Sequence, residues 1–119
     1  MKMIFLVDDT DSMLTLASSV LDNDYRVLTM MSAEKMFALL AKKQPDMIIM
    51  DVEMPEMNGF EAAAKLRENL DWQDIPIIFL TGYIDDAVLS KAESLKALGV
   101  VDKSDITSTL LTRVTELLH

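Results

Sequence analysis

Cysteine is absent from the sequence, and so is any long hydrophobic run. Without cysteine the chain has no disulfide framework, no thiolate nucleophile and no cysteine-ligated metal site, which fits a reducing compartment. No stretch approaches the roughly 20 apolar residues that a membrane span needs, and the apolar stretch near the start is too short for a signal peptide. These absences predict a soluble, cytoplasmic protein without a membrane partner.

Basic residues are scarce: 11 lysines and arginines stand against 20 aspartates and glutamates, which gives a formal net charge of −9. A broad surface for the phosphates of nucleic acid is therefore not expected, and nucleic acid is not a predicted direct partner. Half of the 119 residues are apolar, which suits one domain with a sizeable core and is too little for two. Residues 1–119 are accordingly interpreted as one domain.

Strand and helix patterns alternate five times along the chain. Continuous apolar runs at 3–7, 47–50, 75–80 and 99–101 are typical of strands buried on both faces, whereas the more polar run at 25–30 suits an edge strand. Apolar residues at intervals of three and four predict helices that begin near Thr10, Ser32, Asn58, Asp85 and Ser104. Five βα units without a linker predict an α/β fold, with a parallel sheet covered by helices on both sides.

The third apolar run stops at Asp51, which therefore lies at the carboxyl end of a core strand. In open α/β sheets, ligands bind in the crevice outside those ends. Pro55 stiffens the following turn, Asn58 can cap the next helix, and Gly59 can accept a positive φ. A carboxylate at the end of a fully apolar strand is costly without a partner, so Asp51 is the leading candidate for chemistry.

Polar side chains also follow three other strands: Asp8 and Asp9 after the first, Thr81 after the fourth and Lys103 after the fifth. In a parallel sheet these groups gather with Asp51 at one edge. Taken alone, each of these residues could have a purely structural role, such as helix capping, an ordinary turn or a solvated charge. Taken together, they predict a functional site at this edge of the sheet.

Clustered carboxylates repel one another unless a cation lies among them, and an all-oxygen set with spare water positions suits Mg²⁺, or Mn²⁺ as the alternative. Asp9 is expected to hold the ion directly and Asp8 directly or through water. Asp51 and the main-chain carbonyl of Glu53 are the remaining predicted ligands.

A carboxylate held beside such an ion can attack phosphorus and form an acyl phosphate. Positioning and charge neutralisation supply most of the catalysis in phosphoryl transfers. Asp51 is the expected nucleophile because it follows the central strand. Lys103 offers a positive charge and Thr81 a hydroxyl donor to the phosphoryl oxygens.

The same residues, in the same order, resemble the response-regulator receiver domains of two-component signalling, of the stand-alone CheY-like type. The resemblance covers essentially the whole chain and rests on the Asp8-Asp9 pair, Asp51 with the turn 54–59, Thr81-Gly82 and Lys103. It implies a doubly wound, flavodoxin-like sheet of order 2-1-3-4-5 flanked by five helices.

The resemblance also implies a mechanism. Asp51 would take a phosphoryl group from a phosphohistidine on a sensor histidine kinase or a histidine phosphotransfer protein, and the domain would catalyse only its own phosphorylation and dephosphorylation. Thr81 would shift toward the phosphoryl group and Lys103 would pair with it. The face made by the fourth helix, fifth strand and fifth helix would then change for a downstream protein effector.

Two positions depart from the family pattern. Val100 stands where receivers usually carry an aromatic residue, whose ring changes between exposed and buried rotamers as the threonine moves. The coupling from Thr81 to the output face is therefore expected to be weaker or to use other side chains. Ser104 follows the lysine where proline, often cis, is usual. A cis bond before serine would cost about 2.5–4 kcal/mol, so a trans bond and a different local loop are expected.

Three alternatives stay open. A pseudo-receiver would bind partners without phosphorylation, which Val100 and Ser104 favour. A phosphatase of the haloacid dehalogenase type would carry a second aspartate two residues after the nucleophile, where this chain has Glu53. A flavodoxin is less favoured because no Ser/Thr/Gly-rich loop follows the first strand. Most of the ten methionines are expected in the core, although Met54 and Met57 could line a partner-binding surface.

Overall fold

The structure is a computed structural model that describes residues 1–118; His119, to which the sequence assigned no role, lies outside them. Five strands alternate with helices in the order β1 (Met3–Val7), α1 (Asp11–Leu21), β2 (Arg26–Met30), α2 (Ala33–Leu40), β3 (Met47–Asp51), α3 (Gly59–Glu68), β4 (Ile77–Thr81), α4 (Asp86–Ser94), β5 (Gly99–Asp102) and α5 (Leu111–Leu117). A 3₁₀ turn, Lys103–Asp105, and a π-helical stretch, Ile106–Leu110, lead into α5.

The five strands form one parallel sheet with the order β2-β1-β3-β4-β5. The predicted doubly wound fold is therefore confirmed, and β2 is an edge strand as its polar residues indicated. Pairing aligns the carboxyl ends of the inner strands: Asp51 lies beside Leu80, and Thr81 lies beside Asp102. This register is what brings the strand-end side chains to one edge.

Two apolar layers fill the space on the two faces of the sheet. Successive residues of β3 alternate between them, with Ile48 and Met50 in the layer under α2, α3 and α4 and Met47 and Ile49 in the layer under α1 and α5. Because both faces are covered, β3 has no polar residue before Asp51 and all five of its residues are buried.

Helix ends agree with most of the expected caps. Ser32 accepts a hydrogen bond from the Lys35 N–H, and Asn58 forms a reciprocal capping box with Glu61 at the start of α3. Thr10 precedes α1 but makes no side-chain cap hydrogen bond within the described residues. The turn before α3 is thereby fixed at both of its ends, by β3 and by the capping box.

Gly59 could accept a positive φ but does not adopt one. No glycine among residues 1–118 has a positive φ, and the left-handed residue of that turn is Glu56, with φ 67°. Glycine is needed at position 59 for space: an added Cβ would collide with the carbonyl oxygen of Asp51 and would lie 3.1 Å from the Cα of Val52.

The last helix also differs from its prediction, which had it begin near Ser104 or Asp105. Regular α-helix begins at Leu111, after the 3₁₀ and π-helical segments. The Asp102 carboxylate accepts hydrogen bonds from the Ser104 N–H and hydroxyl, at 2.9 and 2.8 Å, and so shapes the first turn. The peptide bonds within residues 1–118 are all trans, as expected before Ser104.

Arg67, near the end of α3, holds the end of α4 to the loop before β4. Its guanidinium donates to the carbonyls of Leu95, Gln73 and Ile75, each at 2.8 Å, and to that of Lys96 at 3.3 Å. Within α4 itself only Ala92 is buried. Helix α4 is thus attached chiefly through its carboxyl end.

Among residues 1–118, no helix combines the length and the hydrophobicity that crossing a bilayer requires.

Candidate functional site

Asp51 ends the central strand β3 and its side chain is 1% exposed. One carboxylate oxygen, Oδ1, accepts a hydrogen bond from the Glu53 N–H at 3.1 Å. Gly59 lies against the Asp51 carbonyl and allows α3 to begin close behind it. Strand, turn and helix together fix the carboxylate at the loop side of the sheet.

Asp8 and Asp9 follow β1, next to β3. Asp8 is also 1% exposed, and its Oδ1 accepts a hydrogen bond from the Thr10 N–H at 2.9 Å. Asp9 is half-buried. One carboxylate oxygen from each of Asp8, Asp9 and Asp51 lies within 4.8 Å of the others. The structure therefore brings the three predicted carboxylates together.

Lys103 bridges two of these acids. Its Nζ lies 3.1 Å from Asp8 Oδ2 and 3.1 Å from Asp51 Oδ2, and its side chain is 22% exposed. Neither oxygen has a hydrogen-bond partner of good geometry within residues 1–118, so the two contacts are close ion pairs rather than well-directed hydrogen bonds. One cation thus offsets the charge of two buried carboxylates.

Burial, chiefly, and the charge of Asp8 raise the pKa of Asp51 to about 6, although the ion pair with Lys103 and the Glu53 N–H partly oppose them. Burial lowers the pKa of Lys103, but its contacts with Asp51 and Asp8 outweigh burial and leave the pKa above the usual value. At neutral pH Lys103 is therefore charged and most of Asp51 is ionised.

Thr81 ends β4 one residue beyond the partner of Asp51, and it is 1% exposed. Its hydroxyl donates to the Tyr83 carbonyl at 3.0 Å and accepts from the Tyr83 N–H at 3.2 Å. The hydroxyl is thus engaged in its own turn. Tyr83 and Glu53, the residues that flank this part of the edge, are exposed.

The donor set suits a hard divalent cation. It consists of carboxylate oxygens of Asp8, Asp9 and Asp51 that lie within 4.8 Å of one another. Two buried carboxylate oxygens, Asp8 Oδ2 and Asp51 Oδ2, have no hydrogen-bond partner within the described residues. Such oxygens gain from a cation that accepts several oxygen ligands and keeps water in its remaining positions, as Mg²⁺ does. The loop that follows Asp51 carries the Glu53 carbonyl, and its part as a ligand stays a prediction.

The sequence profile of the response regulator receiver domain matches residues 4–115. The chain belongs to this family. It is 32% identical over 91 residues to Protein RcaC of Microchaete diplosiphon and 36% identical over 87 residues to the transcriptional regulatory protein AfsQ1 of Streptomyces coelicolor. These alignments cover 76% and 72% of this chain but only 14% and 37% of the two relatives.

Solved receiver structures have the same fold along the whole chain. The Vibrio cholerae chemotaxis protein CheY4 superimposes with a TM-score of 0.92 at 30% identity and covers 99% of each chain. The BeF3-activated DrrB receiver domain gives 0.87 at 28% identity, covering 99% of this chain and 97% of that one. Receiver domains of two-component systems signal through phosphorylation, generally bind Mg²⁺ at an acidic pocket, and generally interact with histidine kinases and downstream effectors.

In this receiver the face of α4, β5 and α5 has no aromatic ring at position 100. Val100 is half-buried and lines a cavity of about 270 Å³ together with Leu89, Leu98 and Arg113. Leu89 and Leu98 are each 46% exposed. Apolar side chains are therefore exposed on this face, although valine takes the place of the aromatic residue that is usual at position 100.

Two features of the site were missed by sequence reasoning. The contact between Lys103 and Asp8 was not foreseen, because it depends on the register of β1 against β3 and on the path of the loop after β5. The backbone donors that hold the carboxylates, the N–H groups of Thr10 and Glu53, were not foreseen either. Both lie two residues after an aspartate, a spacing at which such turns commonly form.

Proposed function

We propose that this receiver is phosphorylated on Asp51 by a phosphohistidine protein, in a reaction that requires Mg²⁺ or Mn²⁺. The observation that carries the proposal is the Asp51 carboxylate itself, buried at the end of the central strand and placed between Asp8 and Lys103. A structural carboxylate gains little from such a position, whereas a nucleophile gains orientation and shielding from water.

In the proposed transfer, an oxygen of Asp51 forms a bond to phosphorus as the bond between phosphorus and the histidine nitrogen breaks. The imidazole leaves with the electron pair and takes up a proton. Hydrolysis would then restore the unphosphorylated protein. Water attacks phosphorus, the bond to the Asp51 oxygen breaks, and inorganic phosphate and the free carboxylate result. Lys103, 3.1 Å from Asp51, is placed to offset negative charge on the transferring group.

Asp8, Asp9, Asp51 and the Glu53 carbonyl would hold the divalent ion. When bound, the ion supplies positive charge to the phosphoryl oxygens and to the crowded carboxylates. The chain's own residues supply the orientation: the Glu53 N–H fixes Oδ1 of Asp51, and the Thr10 N–H fixes Oδ1 of Asp8.

The switch would begin at Thr81. Its hydroxyl would give up its hydrogen bonds with the Tyr83 main chain and donate to the phosphoryl group on Asp51. This exchange of partners would change the conformation of the loop between β4 and α4. Because Arg67 fixes the far end of α4, this change would reach the exposed leucines of the face formed by α4, β5 and α5, where a downstream protein effector would bind.

One alternative keeps support from the structure: a pseudo-receiver that binds partners without phosphorylation. Val100 provides no ring to follow Thr81, and its neighbourhood is a cavity. The intact acids, Thr81 and Lys103 weigh against this alternative, since a binding module would have no need of them.

The test is the intact mass of the protein after incubation with Mg²⁺ and acetyl phosphate. We expect one phosphoryl adduct on the wild type and on Asp46→Asn, a control at an exposed acid, and none on Asp51→Asn or in EDTA. Donation by a histidine-phosphorylated domain should give the same adduct. If neither donor modifies the wild type, the proposal is wrong and the pseudo-receiver is favoured.

A further inference from the structure

The edge strand β2 leaves one side of its main chain open. At its two ends, the Arg26 N–H and the Met30 carbonyl bond to main-chain groups just before and just after β1, at 2.9 and 3.1 Å. Because alternate residues of a strand direct their N–H and carbonyl groups to opposite sides, those of Val27 and Thr29 point away from β1. Within residues 1–118 no strand lies on that side, and no loop main-chain group bonds to either residue. These groups are therefore available to another chain.

No common protective device blocks this edge. Soluble proteins usually protect an open edge with proline, a bulge or several charged side chains, since it pairs readily with other chains. Strand β2 has no proline, and its five residues pair with β1 in unbroken register. Its one charged residue, Arg26, is the first of the strand, and Thr29 near the other end is exposed. The edge can therefore accept an added strand.

A groove of about 300 Å³ lies on the α2 side of this edge. The residues that line it are Met30, Lys35, Ala38, Leu39 and Lys42. The last four lie on one face of α2 and of the turn after it. Both lysines are exposed, and neither has an ion-pair partner within residues 1–118. This groove thus has an apolar floor between two positive charges, which suits apolar and acidic side chains.

A second groove, of about 350 Å³, lies on the α1 side of the same edge. The residues that line it are Asp11, Leu14, Thr15, Ser18, Ser19, Asp22 and Thr29. The two aspartates are exposed, have no ion-pair partner among the described residues, and no base accompanies them in the lining. The Ser18 hydroxyl is buried and has no hydrogen-bond partner within the part of the chain that the structure describes. This groove suits lysine and arginine, whose charged ends donate hydrogen bonds.

The two grooves together define what an added strand must carry. Successive side chains of a strand point to opposite faces of the sheet, so one set would enter the α1 groove and the other set the α2 groove. The signs of charge in the two grooves are opposite. The complementary segment therefore alternates lysine or arginine with apolar or acidic residues.

We propose that the open edge of β2 binds an extended segment of a partner protein, in which basic residues alternate with apolar and acidic ones. The segment adds to the sheet as a strand, with its main chain on Val27 and Thr29. Its basic side chains lie against Asp11 and Asp22, and the others lie between Lys35 and Lys42. This interaction is separate from the phosphorylation of Asp51 and does not depend on it.

A second copy of this chain is not the expected occupant. Two copies joined through β2 in one antiparallel sheet would be related by a twofold axis, which places α1 beside α1 and α2 beside α2. Lysines would then face lysines and aspartates would face aspartates, and like charges placed together disfavour a complex. The occupant is therefore a different protein.

The experiment measures the binding of labelled synthetic peptides to the whole chain by fluorescence anisotropy. The first peptide alternates lysine with valine and glutamate, and the second has the same composition with all its lysines in one block. The alternating peptide should bind at least about tenfold more tightly, because only it presents each charge to the matching groove. Its advantage should shrink as salt screens these exposed charges.

Two further peptides test main-chain pairing. In each, alternate nitrogens of the alternating peptide are methylated, in one phase or in the other. Since alternate N–H groups of an added strand face β2, methylation in one phase should weaken binding at least about tenfold and in the other phase only slightly. Equal binding of the two methylated peptides would overturn strand addition.

Two variants at one position test the edge itself. Thr29→Pro removes a main-chain N–H that points away from β1, a place where an edge strand tolerates proline, whereas Thr29→Val keeps it. Circular dichroism should show that both variants are folded. Thr29→Pro should bind the alternating peptide at least about tenfold more weakly than Thr29→Val does.

A pair of double variants tests the charges and does not depend on the proline variant. Lys35→Gln with Lys42→Gln removes both charges of the α2 groove, and Lys65→Gln with Lys91→Gln removes two exposed lysines on α3 and α4. At low salt the first pair should weaken binding about threefold and the second pair should leave it unchanged. Asp51→Asn should bind the alternating peptide as the wild type does.

Several results would overturn the proposal. One is that the alternating and blocked peptides bind alike, and another is that the two double variants bind alike. A third is a dimer of the chain alone, seen by sedimentation and abolished by Thr29→Pro, which would assign the edge to a second copy.

Discussion

Gly59→Ala should destabilise this receiver although glycine is usually a poor residue in a helix. The new Cβ would collide with the Asp51 carbonyl oxygen and lie 3.0 Å from its carbon and 3.1 Å from the Val52 Cα. All three atoms are backbone and belong to the end of β3 and the first residue of its turn, so no flexible side chain can yield. The Gly59 N–H also donates to the Val52 carbonyl at 2.9 Å, which fixes the approach.

The expected size follows from two opposed effects. Overpacking a rigid site costs about 1–3 kcal/mol, whereas replacing glycine restricts the unfolded chain and returns about 0.4–1 kcal/mol. Because the added Cβ meets only backbone atoms, the overpacking cost lies at the upper end of its range, and we expect the free energy of unfolding to fall by about 2 kcal/mol and the Tm by about 8 °C for a domain of this size. Phosphorylation of Asp51 should also slow, because the displaced backbone carries that carboxylate.

Urea and thermal denaturation of Gly59→Ala and Gly82→Ala would test the argument. Gly82 is exposed, and a Cβ there would meet no atom of the described residues within 4 Å beyond its chain neighbours, so the control should be no less stable than the wild type and should gain up to about 1 kcal/mol from the restricted unfolded chain. Equal stability of the two variants would show that steric contact with Asp51 does not determine the residue at position 59.

Three further perturbations address the charges. Folding raises the pKa of Asp51 from 3.8 to about 6, so the folded state binds this proton more tightly than the unfolded chain does. The free energy of unfolding of the wild type, measured by urea titration in EDTA, should therefore fall as pH rises from 3.8 to about 6. The Asp51→Asn variant should not show this fall and should be about 2 kcal/mol more stable than the wild type at pH 7. Lys103→Met should lose about 2 kcal/mol at pH 7 in EDTA and less at pH 5, where Asp51 is protonated, so an equal loss at both would contradict the ion-pair argument. Arg67→Met should lose about 3 kcal/mol and speed amide exchange at the end of α4, whereas unchanged exchange there would contradict its anchoring role.

Much of the fold could be predicted from the sequence because this sheet is covered on both sides. Full burial leaves continuous apolar runs, and each run in β1 and β3 ends at an aspartate, so strand and site were visible together. The polar residues of β2 marked it as the edge strand. For β4 the predicted strand started two residues too early, because Ile75 and Pro76 are apolar but precede the strand, which begins at Ile77.

What could not be predicted depends on distances between segments far apart in sequence. Arg67 looks like an ordinary basic residue in the last turn of a helix, yet its carbonyl partners at 73–75 and 95–96 are set by tertiary packing. Lys103 could be placed at the edge, but its equal distance to Asp8 and Asp51 required the structure. The steric reason for glycine at position 59 could not be predicted, because the sequence does not show which backbone atoms lie behind a glycine.

Helix α4 has a consequence for how such receivers diversify. With one buried residue, Ala92, it contributes little to the core that the other helices share. Substitutions along most of its length therefore leave the folding free energy nearly unchanged while they alter the surface that a partner meets. Recognition can then drift between duplicated copies of a gene without loss of the fold, and neighbouring signalling pathways in one cell can be kept apart at this helix.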